Sequence, residues 1–263
     1  MKTLIASAIL LSGSAVAHDV HFSSNSCDVD LNAGISIKQN VITFTKNNKP
    51  LYQIIDNQTL IVDGKTISLD SNQEKLVNEY STKLRVVPTE AKRIAIDAID
   101  LAAEGVNLAF SEILGEGNDI SVNLTRQLTE IRNDVNSQFD VNDFTIDENG
   151  NLQDDFFTEE FGQKISDMVQ DTVKNSMGTL LVAVGQQMLF SGDMDAFEAK
   201  MEDFGSQIEA QMEQRGELIE AQGERLCHSV YEIDQLEEKL KSNIEEMPQV
   251  NVIVVDKSSH KKA

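Results

Sequence analysis

The spacing of hydrophobic residues divides the chain into an N-terminal part with the two-residue period of β-strands and a longer part with helical spacing. Between residues 34 and 69, β-branched and aromatic residues partly alternate with polar ones, and turn sequences separate the runs. Asp63-Gly64 stands between two such runs and is a strong hairpin signal, because a type I′ turn needs positive φ at both central residues. We therefore predict a small antiparallel β-meander from about residue 34 to residue 69.

Helical spacing begins directly after this meander and continues through most of the remaining chain. Ser71 and Glu74 have the spacing of a capping box, in which each side chain reaches the orphan backbone N–H of the other residue. Pro88 is expected to interrupt the first helix, because proline lacks the N–H that an interior helical position needs. Further helices are predicted over residues 89–114, 119–138, 156–190 and 194–246.

Two shorter segments outside the meander also have strand chemistry. One lies at residues 140–153, and the other is the uncharged, β-branched run Val250–Val255. Such a run can add to the open edge of a sheet, and the meander offers edges of this kind. We predict that the run is ordered by strand pairing. The alternative is a frayed tail kept in solution by Lys257, Lys261 and Lys262.

Together these elements predict an α+β protein that is mostly helical, with a small N-terminal antiparallel β-meander packed on long amphipathic α-helices. Four segments follow from the pattern. They are a signal peptide (1–17), an N-terminal β-meander region (18–70), a helical region (71–247) and a C-terminal tail (248–263).

The first residues have the pattern of an export signal. Lys2 provides a positive start, Leu4–Leu11 is a short apolar run, and Ala15-Val16-Ala17 is an A-x-A cleavage signature. The apolar run is shorter than the roughly 20 residues that span a bilayer, although an uncleaved N-terminal anchor is the alternative reading. We predict cleavage after Ala17, a periplasmic location and no transmembrane anchor in the mature chain.

Composition narrows the classes of function. The chain has 44 acidic and 22 basic residues, and its formal charge of −22 argues against nucleic acid as a partner. Aromatic residues make up 5 % of the chain and tryptophan is absent, which weakens the case for an aromatic surface on which bases or sugars stack. The sequence contains no G-x-S-x-G, H-E-x-x-H, P-loop or G-x-G-x-x-G pattern, so it assigns no catalytic residue and no cofactor.

The chain contains two cysteines, Cys27 and Cys227. An even number of cysteines in an exported protein favours a disulfide. Closing so long a loop would stabilise the fold by roughly 5 kcal/mol on the chain-entropy model. Two buried free thiols are the alternative, and a redox-active pair is disfavoured because no C-x-x-C is present.

Three acidic residues are candidates for binding a cation. Asp97, Asp100 and Glu104 are spaced i, i+3 and i+7, which places them on one helix face. Paired carboxylates can also serve in acid–base chemistry, but only when burial separates their pKa values. The alternative is an ordinary solvated face of the helix.

Two weaker patterns do not support a metal site. Asp147–Asn151 resembles part of a calcium loop, but the first carboxylate and the bidentate glutamate of such a loop are missing, so a β-turn is predicted. His18, with His21 nearby, would form a new N-terminus that can bind copper. A suitable distant histidine partner is lacking, which favours an exposed terminus.

Three segments resemble the YggN-like family, a group of exported gammaproteobacterial proteins of unknown function. They are Val62–Leu69, Gln73–Arg85 and Gly223–Val230. The family pattern is similar in its signal peptide, its early cysteine, its Gly-Lys hairpin followed by a helix, and its late cysteine within a long helix. The resemblance implies a periplasmic compartment and a Cys27–Cys227 pair, and it supplies no catalytic residues.

The sequence favours a soluble periplasmic protein that is not an enzyme. We expect a binding, assembly or chaperone-like factor for envelope components, with an envelope protein or an apolar client as its partner. The alternatives are a hydrolytic or other enzyme with dispersed active-site residues, and a cation- or ligand-responsive module that uses the acidic surface. A deep pocket holding buried carboxylates or His228 would favour the enzyme, whereas an open apolar groove would favour the binding protein. The sequence does not determine the oligomeric state.

Overall fold

A computed structural model of the 263-residue chain describes residues 20–23, 28–148, 152 and 194–256, together with scattered helical positions between 163 and 185. The predicted signal peptide, His18, Cys27, the end of the calcium-like turn and the tail lysines lie outside the described residues. Most of the helix predicted over residues 156–190 also lies outside them.

The prediction of an α+β fold is confirmed. The described elements are the strands β1 (Val20–Ser23), β2 (Asp28–Leu31), β3 (Gly34–Lys38), β4 (Val41–Lys46), β5 (Lys49–Ile55), β6 (Thr59–Val62), β7 (Lys65–Thr66), β8 (Asp143–Ile146) and β9 (Ile253–Asp256), and the helices α1 (Ser71–Leu114), α2 (Asp119–Gln138) and α3 (Met194–Asn243). The strands form a six-stranded sheet in the order β7-β6-β5-β4-β3-β8 and a three-stranded sheet in the order β1-β2-β9. All described pairings are antiparallel.

The meander folds as its turn sequences predict. Asp63 and Gly64 have φ angles of 49° and 72°, and Val62 pairs with Lys65 across them. Asn47-Asn48 and Asp56-Asn57 also have positive φ at the two preceding hairpin turns. Asparagine, aspartate and glycine tolerate this backbone region, so the sequence fixes where each strand reverses.

One face of the six-stranded sheet packs against α1 and α3. Phe44 stacks on Tyr52 with ring centroids 4.1 Å apart, and Tyr80 of α1 lies 5.9 Å from Phe44. Ile233 and Leu240 of α3 are buried in the same core. Because strand side chains alternate, the opposite face of β4 and β5 carries both polar and apolar residues, namely Val41, Thr43, Thr45, Leu51, Gln53 and Ile55.

The first helix differs from its prediction in two respects. Asp70, rather than Ser71, is the N-cap, and it forms the capping box with Gln73 instead of Glu74. The helix also runs through Pro88 to Leu114 without the predicted interruption. An interior proline destabilises a helix by roughly 3 kcal/mol, but Pro88 is itself buried against apolar neighbours, and tertiary packing outweighs the lost hydrogen bond.

Replacing Asp70 is expected to weaken the junction between sheet and helix. Its carboxylate accepts the backbone N–H of Asn72 at 2.7 Å and that of Gln73 at 3.0 Å. Asp70→Ala should lower the free energy of unfolding by about 1 kcal/mol, measured by urea denaturation. Ser71→Ala serves as the control and should change it by much less. An equal effect of both substitutions would contradict this assignment of the cap.

The C-terminal run is ordered by strand pairing, as predicted, but its partner is not the meander. Ile253–Asp256 pairs with Asp28–Leu31 of the three-stranded sheet. The free edge of β3 is taken by β8, and β7 at the other edge contains only two residues.

Candidate functional site

A cavity of about 340 Å³ lies between the two sheets and the two long helices. The three-stranded sheet, the β3–β8 edge of the six-stranded sheet, α1 and α3 each form part of its wall. The described lining residues are Val29, Leu31, Ile35, Ile37, Leu84, Val87, Pro88, Ala91, Phe144, Ile146, Gly223, Leu226, Cys227, Val230, Ile233 and Ile253.

The helical walls of the cavity follow from the 3.6-residue period. On α1 the lining positions are Leu84, Val87, Pro88 and Ala91, which are spaced i, i+3, i+4 and i+7. The lining positions of α3 begin at Gly223 and repeat with the same spacing as far as Val230. Each helix therefore turns one apolar stripe towards the cavity.

The sheet walls follow from strand alternation and register. Ile35 pairs with Ile146 and Ile37 pairs with Phe144, so these four side chains lie on the same face. Ser36 lies between them in sequence, on the opposite face, where its hydroxyl lies 2.7 Å from the Thr145 hydroxyl. The polar residues of this edge are thereby directed away from the cavity.

The chemistry of the cavity is uniform. Every described lining residue is aliphatic, aromatic, proline, glycine or cysteine, and none carries a charged group. Such a surface offers no acid–base pair and no oxygen or nitrogen ligand for a metal. It favours an apolar occupant, and its volume lies at the lower end of the roughly 300–1,000 Å³ typical of small-molecule sites.

Gly223 is a distinctive position in the wall. A Cβ atom added there would meet no atom of the described residues within 4 Å, so within this part of the chain the glycine leaves open space on the cavity side of α3. From sequence alone this glycine indicated only a weaker helix. The signal that could have shown its role is its spacing of three, four and seven residues from Leu226, Cys227 and Val230.

A buried carboxylate lies one helical turn beyond the cavity. Glu237 follows the lining residue Ile233 by four positions and is only 1 % exposed. Its two oxygens accept the backbone N–H of Val252 at 2.7 Å and that of Ile253 at 3.2 Å. The ammonium group of Lys241 lies 3.9 Å away. Glu237 therefore ties the segment leading into β9 to α3.

Burial raises the pKa of Glu237 from its ordinary value of 4.5 to about 7, against the opposing effect of the two N–H donors and Lys241. Burial also raises the pKa of Asp234 on the same face of α3. The hydroxyls of Tyr52 and Tyr80 lie 3.1 Å apart, and burial raises the pKa of each well above 10. Both tyrosines are therefore neutral near pH 7, whereas the pKa of Glu237 lies close to that pH.

Stability should depend on the protonation of Glu237. Because its pKa is raised on folding, its contribution is fully present below about pH 4.5 and is lost as the pH rises through about 7. The protonated acid still accepts one N–H through its carbonyl oxygen. We expect the wild type to lose on the order of 3 kcal/mol relative to Glu237→Gln between pH 4.5 and 8. Urea denaturation of both proteins across this range measures the difference.

The matched control for this pH dependence is Glu238→Gln. Glu238 is the next residue, its side chain is half-exposed, and it also pairs with Lys241 at 2.5 Å. The substitution Glu238→Gln should leave the pH dependence of the free energy of unfolding close to that of the wild type. Parallel pH profiles for Glu237→Gln and the wild type would contradict the assignment of the titration to Glu237.

The structure gives each cation candidate a different partner. Asp97 accepts a hydrogen bond from Gln222 of α3 at 2.9 Å, and Asp100 pairs with Arg132 of α2 at 2.7 Å. Glu104 pairs with Arg215 at 2.6 Å. These contacts join α1 to its two helical neighbours. Within the described residues, no group of three or more His, Cys, Asp or Glu side chains is arranged to hold a metal.

His228 and the calcium-like turn, which were also singled out in the sequence, do not supply described lining residues of the cavity. His228 is largely exposed and its Nε2 lies 3.5 Å from the Glu232 carboxylate. In the calcium-like turn, Glu148 accepts the backbone N–H of Asn47 at 2.6 Å. Neither residue lines the cavity. In the part of the chain that the structure describes, no helix contains an apolar stretch that could span a bilayer.

Comparison with family models places residues 27–253 in DUF2884, a family described as proteins of unknown function. The chain belongs to this family. Neither the comparison with curated proteins nor the comparison with solved structures gives a match.

The DUF2884 match includes every described residue of the cavity wall. The last of these, Ile253, is also the last matched residue. Both Cys27 and Cys227 also lie within it. Cys227 is in the cavity wall, whereas Cys27 lies outside the described residues, so their pairing stays a prediction.

Proposed function

We propose that this protein is not an enzyme and that it binds a single acyl chain of an envelope lipid in the cavity between its two sheets. The wholly apolar lining carries this proposal. Neither a carboxylate nor His228 is among the described lining residues, which favours a binding protein over an enzyme.

The absence of polar groups in the described lining limits the class of ligand. A peptide segment would bring backbone amides into the cavity. Burying an amide without a hydrogen-bond partner would destabilise the complex by several kcal/mol. A hydrocarbon chain brings no such groups. If a methylene occupies about the volume of a water molecule, roughly 30 Å³, the cavity accommodates a chain of roughly ten carbons. An acyl chain therefore fits better than an apolar protein segment.

The proposal includes the compartment in which such a ligand would be met. The protein is exported to the periplasm and cleaved after Ala17, as Lys2, the short apolar run and the A-x-A signature support. It belongs to the YggN-like, gammaproteobacterial part of its family, on the strength of the three segments that resemble that group. It acts there as a soluble binding or carrier factor for an envelope component.

A disulfide between Cys27 and Cys227 is also part of the proposal. Val29 follows Cys27 by two positions, and Val29 and Cys227 line the same cavity. Cys27 directly precedes β2 in the sequence, and this strand and Cys227 of α3 contribute to the same cavity wall. The bond would fix this strand to α3 at the cavity wall.

Titration with a fluorescent fatty acid tests the proposed binding. A dansyl-labelled medium-chain fatty acid added to the mature protein should show saturable emission with one site per chain and a blue shift typical of an apolar site. Dansylamide, which carries the same fluorophore without the chain, is the control and should bind far more weakly. Equal binding of the two probes, or a signal that does not saturate, would overturn the proposal.

A further inference from the structure

The exposure of the cavity lining changes in one direction along both long helices. On α1 the lining runs from Leu84, which is 4 % exposed, to Ala91, which is only partly buried. On α3 it runs from Ile233, which is 1 % exposed, to the partly buried Leu226 and Gly223. We term the accessible end, at Ala91, Leu226 and Gly223, the mouth of the cavity.

Both helices contribute to the mouth at the same level, because they run antiparallel. Lys83 of α1 contacts Glu232 of α3 at 2.8 Å, near the buried ends of the two lining stripes. Farther along α1, Asp97 accepts a hydrogen bond from Gln222 at 2.9 Å, at the level of the accessible ends. An acyl chain that enters the cavity would therefore lie with its methyl end between the buried ends of the stripes and its head group at the mouth.

A lysine lies beside this mouth. Lys92 follows the lining residue Ala91, and its ammonium group donates to the backbone carbonyls of Asn136 at 2.7 Å and Phe139 at 3.0 Å. The ring of Phe139 in turn contacts the ring of Phe144, a partly buried lining residue, with centroids 5.6 Å apart. The end of α2 thus holds the Lys92 ammonium next to the accessible part of the cavity.

The bonding of Lys92 leaves it able to bind an anion. An ammonium group has three N–H donors, and the two carbonyls occupy two of them without neutralising the charge. Among the described residues, no carboxylate forms an ion pair with Lys92. By contrast, Lys83 and Arg132 each pair with a carboxylate, at 2.8 Å and 2.7 Å. Lys92 therefore offers a fixed positive charge and one further donor at the mouth.

We propose that the ligand is a single-chain amphiphile with an anionic head group, a carboxylate or a phosphate, and that Lys92 binds this head group at the mouth. This inference rests on the proposed function, since it names the head group of the chain that the cavity would hold. A charge-assisted hydrogen bond to an anionic oxygen is stronger than one to a neutral oxygen, whereas a cationic head group would be repelled. The apolar lining would then select the chain, and Lys92 would select the head group.

Calorimetric titration with ligands of one chain length tests this selection. Decanoate, decyl phosphate and decanol share a ten-carbon chain and differ only in the head group. The apolar cavity alone would favour decanol, which loses the least hydration on binding. We expect the mature protein at pH 8 to bind at least one of the two anions roughly tenfold more tightly than decanol. The tighter of the two anions identifies the head group as a carboxylate or a phosphate.

Substitution of Lys92 tests which residue makes the distinction. Lys92→Met keeps the length of the aliphatic stem and removes the charge, so it should weaken binding of the preferred anion by roughly tenfold and leave the affinity for decanol nearly unchanged. Lys92→Arg keeps the charge and should keep the preference for the anion. Arg93→Met is the matched control, because it removes one positive charge from the next, exposed position of α1. It should leave all three affinities close to those of the wild type.

The outcomes separate the head-group site from the proposed function. Decanol that binds at least as tightly as both anions would overturn the anionic head group and leave the acyl-chain site intact. An equal loss of anion and decanol binding in Lys92→Met would show a structural role and overturn Lys92 as the head-group residue. Equal losses of anion binding in Lys92→Met and Arg93→Met would overturn it as well. Wild-type protein that binds none of the three ligands would overturn the proposed function, and the head-group assignment with it.

Discussion

Replacing both cysteines by alanine is expected to lower the free energy of unfolding by roughly 5 kcal/mol, because the predicted Cys27–Cys227 bond closes a loop of about 200 residues in the unfolded chain. Alanine is preferred to serine, since a hydroxyl at position 227 would lie in an apolar wall. Urea denaturation of the oxidised wild type and the double variant measures the difference. Most native domains have only about 5–15 kcal/mol of stability, so this loss would be a third or more of the total.

Chemical reduction provides the control for this prediction. A thiol reductant should destabilise the wild type by nearly the same amount and should have no effect on the double variant. This comparison separates loss of the bond from loss of side-chain volume at position 227. Two titratable thiols in unreduced, denatured protein would contradict the pairing, and non-reducing peptide mapping would show which residues are joined.

The local elements could be predicted because their signals are local. The Asp63-Gly64 turn fixes a hairpin by its own backbone preference, and the regular spacing of apolar residues along α3 outweighs the three glycines within that helix. Pro88 was misjudged because its own packing, rather than its neighbours in sequence, decides whether the helix continues. The cap was misplaced by one residue because Asp70 and Ser71 are both favourable at that position.

The candidate site could not be predicted because it depends on how separate elements meet. The cavity needs the three-stranded sheet β1-β2-β9, the β3–β8 edge and two helices in their final arrangement, and no single segment shows it. Glu237 is an instructive case. A glutamate in a charged helix usually indicates a solvated face, but Glu237 lies between Ile233 and Leu240 on the apolar stripe of α3. A charged residue on such a stripe, four positions before a lysine, was the available signal.

Filling the cavity from Gly223 is expected to remove acyl-chain binding while making the protein more stable. Gly223→Leu should gain about 1 kcal/mol from helix propensity and roughly 1.5–3 kcal/mol more from burying the new side chain in the open space. The same side chain occupies volume that the ligand needs. We expect the affinity for the dansyl-labelled fatty acid to fall at least a hundredfold and the melting temperature to rise by several degrees.

The matched control for this substitution is Gly205→Leu. Gly205 lies in the same helix and is exposed, and no atom of the described residues comes within 4 Å of a Cβ added there. It is not among the described cavity-lining residues. It should gain the helix-propensity part of the stability and keep wild-type affinity. A loss of binding accompanied by a gain in stability cannot come from a damaged fold, so this pair of variants locates the ligand. Wild-type affinity in Gly223→Leu would place the probe outside the cavity and overturn the cavity as the binding site.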